Sequence, residues 1–223
     1  MKKQKYFILL FFFFFIYNIL NAQRVDNLEP VGSYYFWKTK DLLNEGMANH
    51  QTVQILVFPV YNGTESLLAI ELDTCNLRNT DFKWDNAKYH LVYYKIKYVT
   101  KENRKTQEID SLIKYKKEIN TSCVKLIEKL FDSAIKQTKY SENFGLDGMR
   151  YVFTSGYGRY AGMYWGAGLP SKDTKLGKLV NIANELFKTI KSDTNYIEFD
   201  KDFIIKIGNL TEEFNLTNAN IGS

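Results

Sequence analysis

Histidine, cysteine and proline are all scarce in this 223-residue chain, which has two His, two Cys and three Pro. Two widely separated histidines, His50 and His90, with no closely spaced cysteine pair, exclude a recognisable zinc set. They also leave a nucleophilic thiol with few candidates for a base. Three prolines, no Ser or Gly tract and no internal repeat leave nothing that reads as a linker, so the chain is one domain rather than several. Gly-x-Ser-x-Gly and His-Glu-x-x-His are absent, which removes the commonest hydrolase and metalloprotease signatures.

A dominant charge is lacking as well. The chain carries 30 basic and 25 acidic residues. Three of the lysines, Lys2, Lys3 and Lys5, precede an apolar run from Tyr6 to Tyr17, which is followed by Leu20-Asn21-Ala22. That order is the basic, apolar and small-residue layout of a cleavable export signal. The apolar stretch is too short for a membrane span, which needs about 20 residues. Residues 1–22 therefore read as a signal peptide, with Gln23 as the mature N-terminus. Cleavage leaves a domain of near-neutral charge, with no electrostatic footprint for nucleic acid or an anionic membrane. The expected setting is periplasmic or extracellular, with no membrane span after cleavage.

Export bears on the two cysteines. In an oxidising compartment Cys75 and Cys123 have one possible internal pairing, closing a loop that the chain-entropy model values at roughly 4 kcal/mol. A Cys75–Cys123 disulfide is the expectation; two inert buried thiols are the alternative.

Residues 23–208 read as an α+β domain, a largely antiparallel sheet built from hairpins with two amphipathic helices packed on one face. Runs 52–60 and 64–72 flank Asn62-Gly63, a strong hairpin signal. Residues 89–99 alternate, with His90, Val92, Tyr94, Ile96 and Tyr98 on one face, and a partner strand follows around Ile109 to Ile119. A short helix is expected from Thr39 to Gly46. Longer helices follow, one capped at Thr121 or Ser122 and running to about Thr138, and one from Thr174 to Lys191. Met149–Thr154 and Arg159–Trp165 suggest a third hairpin, Phe203–Ile207 a last strand, and residues 209–223 a polar tail.

The densest chemical feature is the segment 140–165, where eight aromatic residues are interleaved with glycines. Tyr and Trp rings combine rigid contact area with a polar tip, a composition suited to protein, peptide or glycan partners. Alternation assigns Tyr151, Phe153 and Trp165 to the core and Tyr157, Tyr160 and Tyr164 to a contact surface. Leu146-Asp147-Gly148, Tyr151-Val152-Phe153, Pro170-Ser171 and Leu176-Gly177-Lys178-Leu179, with the signal ending Asn21-Ala22-Gln23, resemble a pattern in uncharacterised secreted proteins of the Bacteroidetes type. That resemblance implies a bacterial envelope or secreted setting and brings no activity with it.

Other features have plainer readings. Gly166-Ala167-Gly168 lacks the dinucleotide and P-loop spacings, so no cofactor is expected. The acids at Asp81 and Asp85, or at Asp193, Asp200 and Asp202, lack a calcium-loop pattern and read as turn residues, so no metal is expected. Sequons at Asn62, Asn120, Asn209 and Asn215 suit chance occurrence in an Asn-rich chain. Glu142 and Asp147 are the carboxylates nearest the aromatic segment. The chain thus reads as a non-enzymatic binding or interaction module, with a hydrolase of envelope polymers using such carboxylates as the alternative.

Overall fold

The structure is a computed structural model that describes residues 28–29, 31, 43, 50–58, 65–73, 87–100, 107–139, 149–156, 160–166 and 169–219. The expected signal, Cys75, Tyr140 to Asp147 and Tyr157 lie outside them, as does the 39–46 helix apart from Leu43, which is helical.

The described elements, in order, are β1 (Gln51–Phe58), β2 (Ser66–Leu72), β3 (Tyr89–Thr100), β4 (Gln107–Ile119), α1 (Thr121–Ile135), β5 (Met149–Ser155), β6 (Tyr160–Gly166), α2 (Lys175–Thr189), β7 (Tyr196–Ile197) and α3 (Lys201–Ala219). The strands form one seven-stranded sheet in the order β6-β5-β1-β2-β3-β4-β7. All neighbours are antiparallel except β4 and β7, which run parallel over two residues. The α+β class follows directly.

β1 and β2 are mostly apolar or β-branched and buried along nearly their whole length, without the alternation of a half-exposed strand, because both faces of the sheet are covered. One face carries Val53, Ile55, Leu68, Ile70, Leu91, Tyr93, Tyr151, Phe153 and Tyr164, sharing a core with α1, α2 and α3. The opposite face carries Leu56, Phe58, Leu67, Val92, Tyr94, Ile96, Val152 and Met163, and Leu43 is buried against them. The pairing of β3 with β4 is regular from Tyr89↔Ile119 to Lys97↔Ser111, then shifts to Tyr98↔Ile109. Asp110 is thus an extra residue on β4, a bulge that bends an edge strand.

The helices start where their side chains can bond the orphaned amides of a first turn. Asn120, rather than Thr121 or Ser122, caps α1 by accepting from Ser122 N at 2.8 Å. Thr174 caps α2 by accepting from Gly177 N at 3.0 Å, while its own hydroxyl donates to Ser171 O at 2.7 Å. The loop folds so closely over this turn that a Cβ on Gly177 would lie 1.8 Å from Ser171 O. No side chain fits there.

The end of the chain departs from the sequence reading. The expected strand Phe203–Ile207 and the start of the polar tail are one helix, α3. Asp200 Oδ1 accepts from Phe203 N at 2.8 Å and caps it. Ile207, Leu210 and Phe214, at helical spacing, are buried with Thr211, whose hydroxyl donates back to Ile207 O at 2.8 Å. Ile204 and Ile205 stay exposed, and they are the residues that made the segment look like a strand. Packing on α1 and α2 overrode β propensity, helped by Lys178–Glu213 at 2.7 Å and by Lys175 Nζ 5.4 Å above the Phe214 ring.

The expected Cys75–Cys123 disulfide is not seen, and Cys75 lies outside the described residues. Cys123 is a free, buried thiol in the first turn of α1, its Sγ accepting from Phe199 N at 3.4 Å. Burial pushes its pKa up, the mark of an inert thiol rather than a nucleophile.

Candidate functional site

Among the described members of the aromatic segment, Tyr151 and Phe153 are core residues. Tyr151 OH donates to Asn184 Oδ1 at 3.1 Å, and Phe153 meets Phe131 edge to face with centroids 5.3 Å apart. The three expected contact tyrosines separate. Tyr160 is 63% exposed, its ring lying against Gly156, where a Cβ would come within 3.1 Å of Tyr160 Cδ2. Gly156 has φ +57, a left-handed conformation suited to glycine. Tyr164 is only 7% exposed and belongs to the helix-side core, so it is no contact residue. Alternation assigned Tyr160 and Tyr164 to one face correctly, but helices from elsewhere in the chain cover that face at Tyr164. The structure does not gather the three tyrosines into one described surface.

Two other places were not read from the sequence. One is an open cleft of about 390 Å³ between the C-terminal half of α2, the residues after β7 and the start of α3. Phe199 and Phe203 meet edge to face in its wall, with centroids 4.8 Å apart. Glu198, Asp200 and Asp202 line it together with Lys188 and with Lys206, which is ion-paired with Glu185. The volume is in the range of small-molecule sites. The sequence signal for it is Asp200-Lys201-Asp202, a helix-start pattern that the strand reading of 203–207 conceals.

The second is a polar row across the sheet face opposite the described helices. Register places Gln51, Glu71, His90 and Glu118 side by side on β1, β2, β3 and β4. Glu71 is only 2% exposed and pairs with Lys116 Nζ at 3.1 Å. Buried Gln54 and Thr154 lie near the same end of the sheet, their side-chain oxygens 3.5 Å apart. Burial lowers the His90 pKa and Lys116 lowers it further, against the opposing pull of Asp73, Glu118 and Glu71. The imidazole is therefore neutral near pH 7, and its Nδ1 is buried without a hydrogen-bond partner. The deeply buried Glu71 side chain is accommodated by its pairing with Lys116.

On the helix side, burial raises the pKa of Glu128, with Asp132 one turn away adding to the effect. No group of three His, Cys, Asp or Glu side chains among the described residues is placed to hold a metal ion. No described helix is long and apolar enough to cross a membrane.

Compared with known proteins, the chain matches no family model, no curated protein and no solved structure.

Proposed function

We propose that the chain is an exported, non-enzymatic binding module of the bacterial envelope or exterior, and that the α2–β7–α3 cleft is its recognition site. The cleft carries this reading. It has an aromatic wall for apolar contact and charged side chains for orientation, the composition of a ligand site. Two of its four carboxylates have structural duties, Asp200 capping α3 and Glu185 pairing with Lys206. Nothing in the wall resembles a nucleophile oriented by a base. The basic and apolar layout of residues 1–22 supports export, and the resemblance at residues 145–190 supports a secreted setting.

The test is titration of the isotope-labelled mature domain with peptidoglycan fragments, neutral oligosaccharides and short peptides, each monitored by NMR and assayed for turnover. The expected result is shifts centred on Glu198, Asp202 and Lys206, weakened by Asp202→Lys, with every probe recovered intact. Conversion of a probe to product, or shifts centred elsewhere, would overturn the reading.

A further inference from the structure

The sheet has one edge whose chemistry is unlike the rest of the surface. On the side of β4 away from β3, only Tyr196 and Ile197 pair with it among the described residues, and they pair with Glu118 and Ile119 at its end. Before that point β4 is an edge strand. Leu112 is 37% exposed on one sheet face, and Ile113 and Tyr115 are 37% and 41% exposed on the other. Lysines surround them: Lys95 and Lys97 on β3, Lys114 on β4 and Lys191 just after α2, while Lys116 is paired with Glu71 and Lys117 donates to the carbonyls of Thr189 and Ser192. Lys191 Nζ lies 4.6 Å over the Tyr93 ring, where burial and the nearby Lys95 push its pKa down. Lys191 and Lys95 are therefore close like charges beside the exposed stretch of β4.

We infer that the edge of β4 from Leu112 to Lys117 accepts an extended, acid-bearing polypeptide segment by strand addition. An edge strand presents backbone N–H and C=O groups at a spacing that only another extended polypeptide matches. Alternate side chains of the incoming strand meet Leu112 on one face and Ile113 and Tyr115 on the other. Acidic side chains on it offset the neighbouring lysines, which gives specificity and a faster encounter. A second copy of this chain is the wrong partner. Antiparallel pairing over the whole of Ser111–Lys117 sets Lys114 opposite Lys114, and extension toward Glu108 meets the bulge at Asp110. The lysines thus reject self-pairing while favouring an acidic strand, specificity obtained through repulsion as well as attraction. This inference does not depend on the cleft.

The experiment uses the mature protein and a synthetic ten-residue peptide alternating Glu with Val and Thr. Three comparison peptides are a variant with a central Pro, one with Lys in place of Glu, and an unpatterned acidic peptide. A sulfated polysaccharide and phosphatidylglycerol vesicles complete the set. Hydrogen exchange should show protection of amides within 111–117 on adding the alternating peptide. Affinity should fall at least about tenfold for the Pro and Lys peptides and for the K95E/K114E double variant, with K172E as an exposed control that keeps binding. Thermal melts of each variant confirm that it is folded. Equal binding of the Pro peptide overturns strand addition. Equal or tighter binding of the polysaccharide or vesicles assigns the lysines to a different macromolecule and overturns the inference, as does an absence of protection at millimolar peptide.

Discussion

The two edges of the sheet are protected in opposite ways. At the β6 edge the chain covers itself. Glu29 and Met163 exchange two backbone hydrogen bonds of 2.7 Å, and Lys139 N donates to Leu28 O at 2.8 Å. Gly162 makes that approach possible, since a Cβ there would lie 2.9 Å from Leu28 Cβ. At the β4 edge the described covering is two residues of β7, and the remainder relies on lysines and a bulge. A covered edge gains stability from buried apolar area; a charged edge gains selectivity and leaves its apolar side chains half in water. Substitutions at the β6 edge should therefore act on folding, and those along β4 on association.

The largest effect is expected from Leu28→Ala, because Leu28 is fully buried under the β6 edge. It should cost about 2 to 5 kcal/mol in denaturant unfolding, whereas Leu112→Ala on β4 should stay within about 0.5 kcal/mol. Equal losses at the two edges would end the comparison. Next comes Gly162→Val, which should cost about 1 to 3 kcal/mol by overpacking against Leu28 and Thr138. Protection of the Met163 amide should fall with it in hydrogen exchange.

Two titrations sharpen the comparison at smaller scale. The folded-state pKa of His90 is lowered, so below about pH 6.5 the unfolded chain binds the extra proton first. Stability should fall as pH drops through 6.5, and His90→Gln should flatten that part of the profile. Glu128 has the opposite sign: its raised pKa makes the folded state hold a proton longer. Its ionisation weakens folding as pH rises above the ordinary carboxyl range, so Glu128→Gln should raise the midpoint slightly at pH 7 and make no difference near pH 3. The smallest expected change is Tyr160→Ala, within about 0.5 kcal/mol by thermal melt, because most of that ring is already in water.

Much of the scaffold was legible. The run 52–58, the alternation from His90 to Ile96 and the stripe Val124, Ile127, Leu130, Phe131 each carry a period that names their element and its buried face. The candidate sites were less so. Tyr160 was read as exposed and is; Tyr164 was read the same way and is buried, because alternation says which residues share a face and not what covers it. The cleft was hidden behind a wrong element at 203–207. The polar row was invisible because Gln51, Glu71, His90 and Glu118 come from four strands, and only register aligns them.

What the sequence by itself determined are the local decisions: strand and helix periods, the capping side chain of Thr174, and the glycine that φ +57 favours at position 156. These rest on sterics and hydrogen bonds within a few residues, so a short window contains all the terms. The tertiary structure decided that Phe203–Ile207 is helical and that Tyr164 is core. It also decided that Cys123 remains a thiol, and that one edge is sealed while the other stays charged and open. Each of these depends on which distant surface arrives to exclude water. The stabilisation from that burial outweighs propensities of less than 1 kcal/mol per residue.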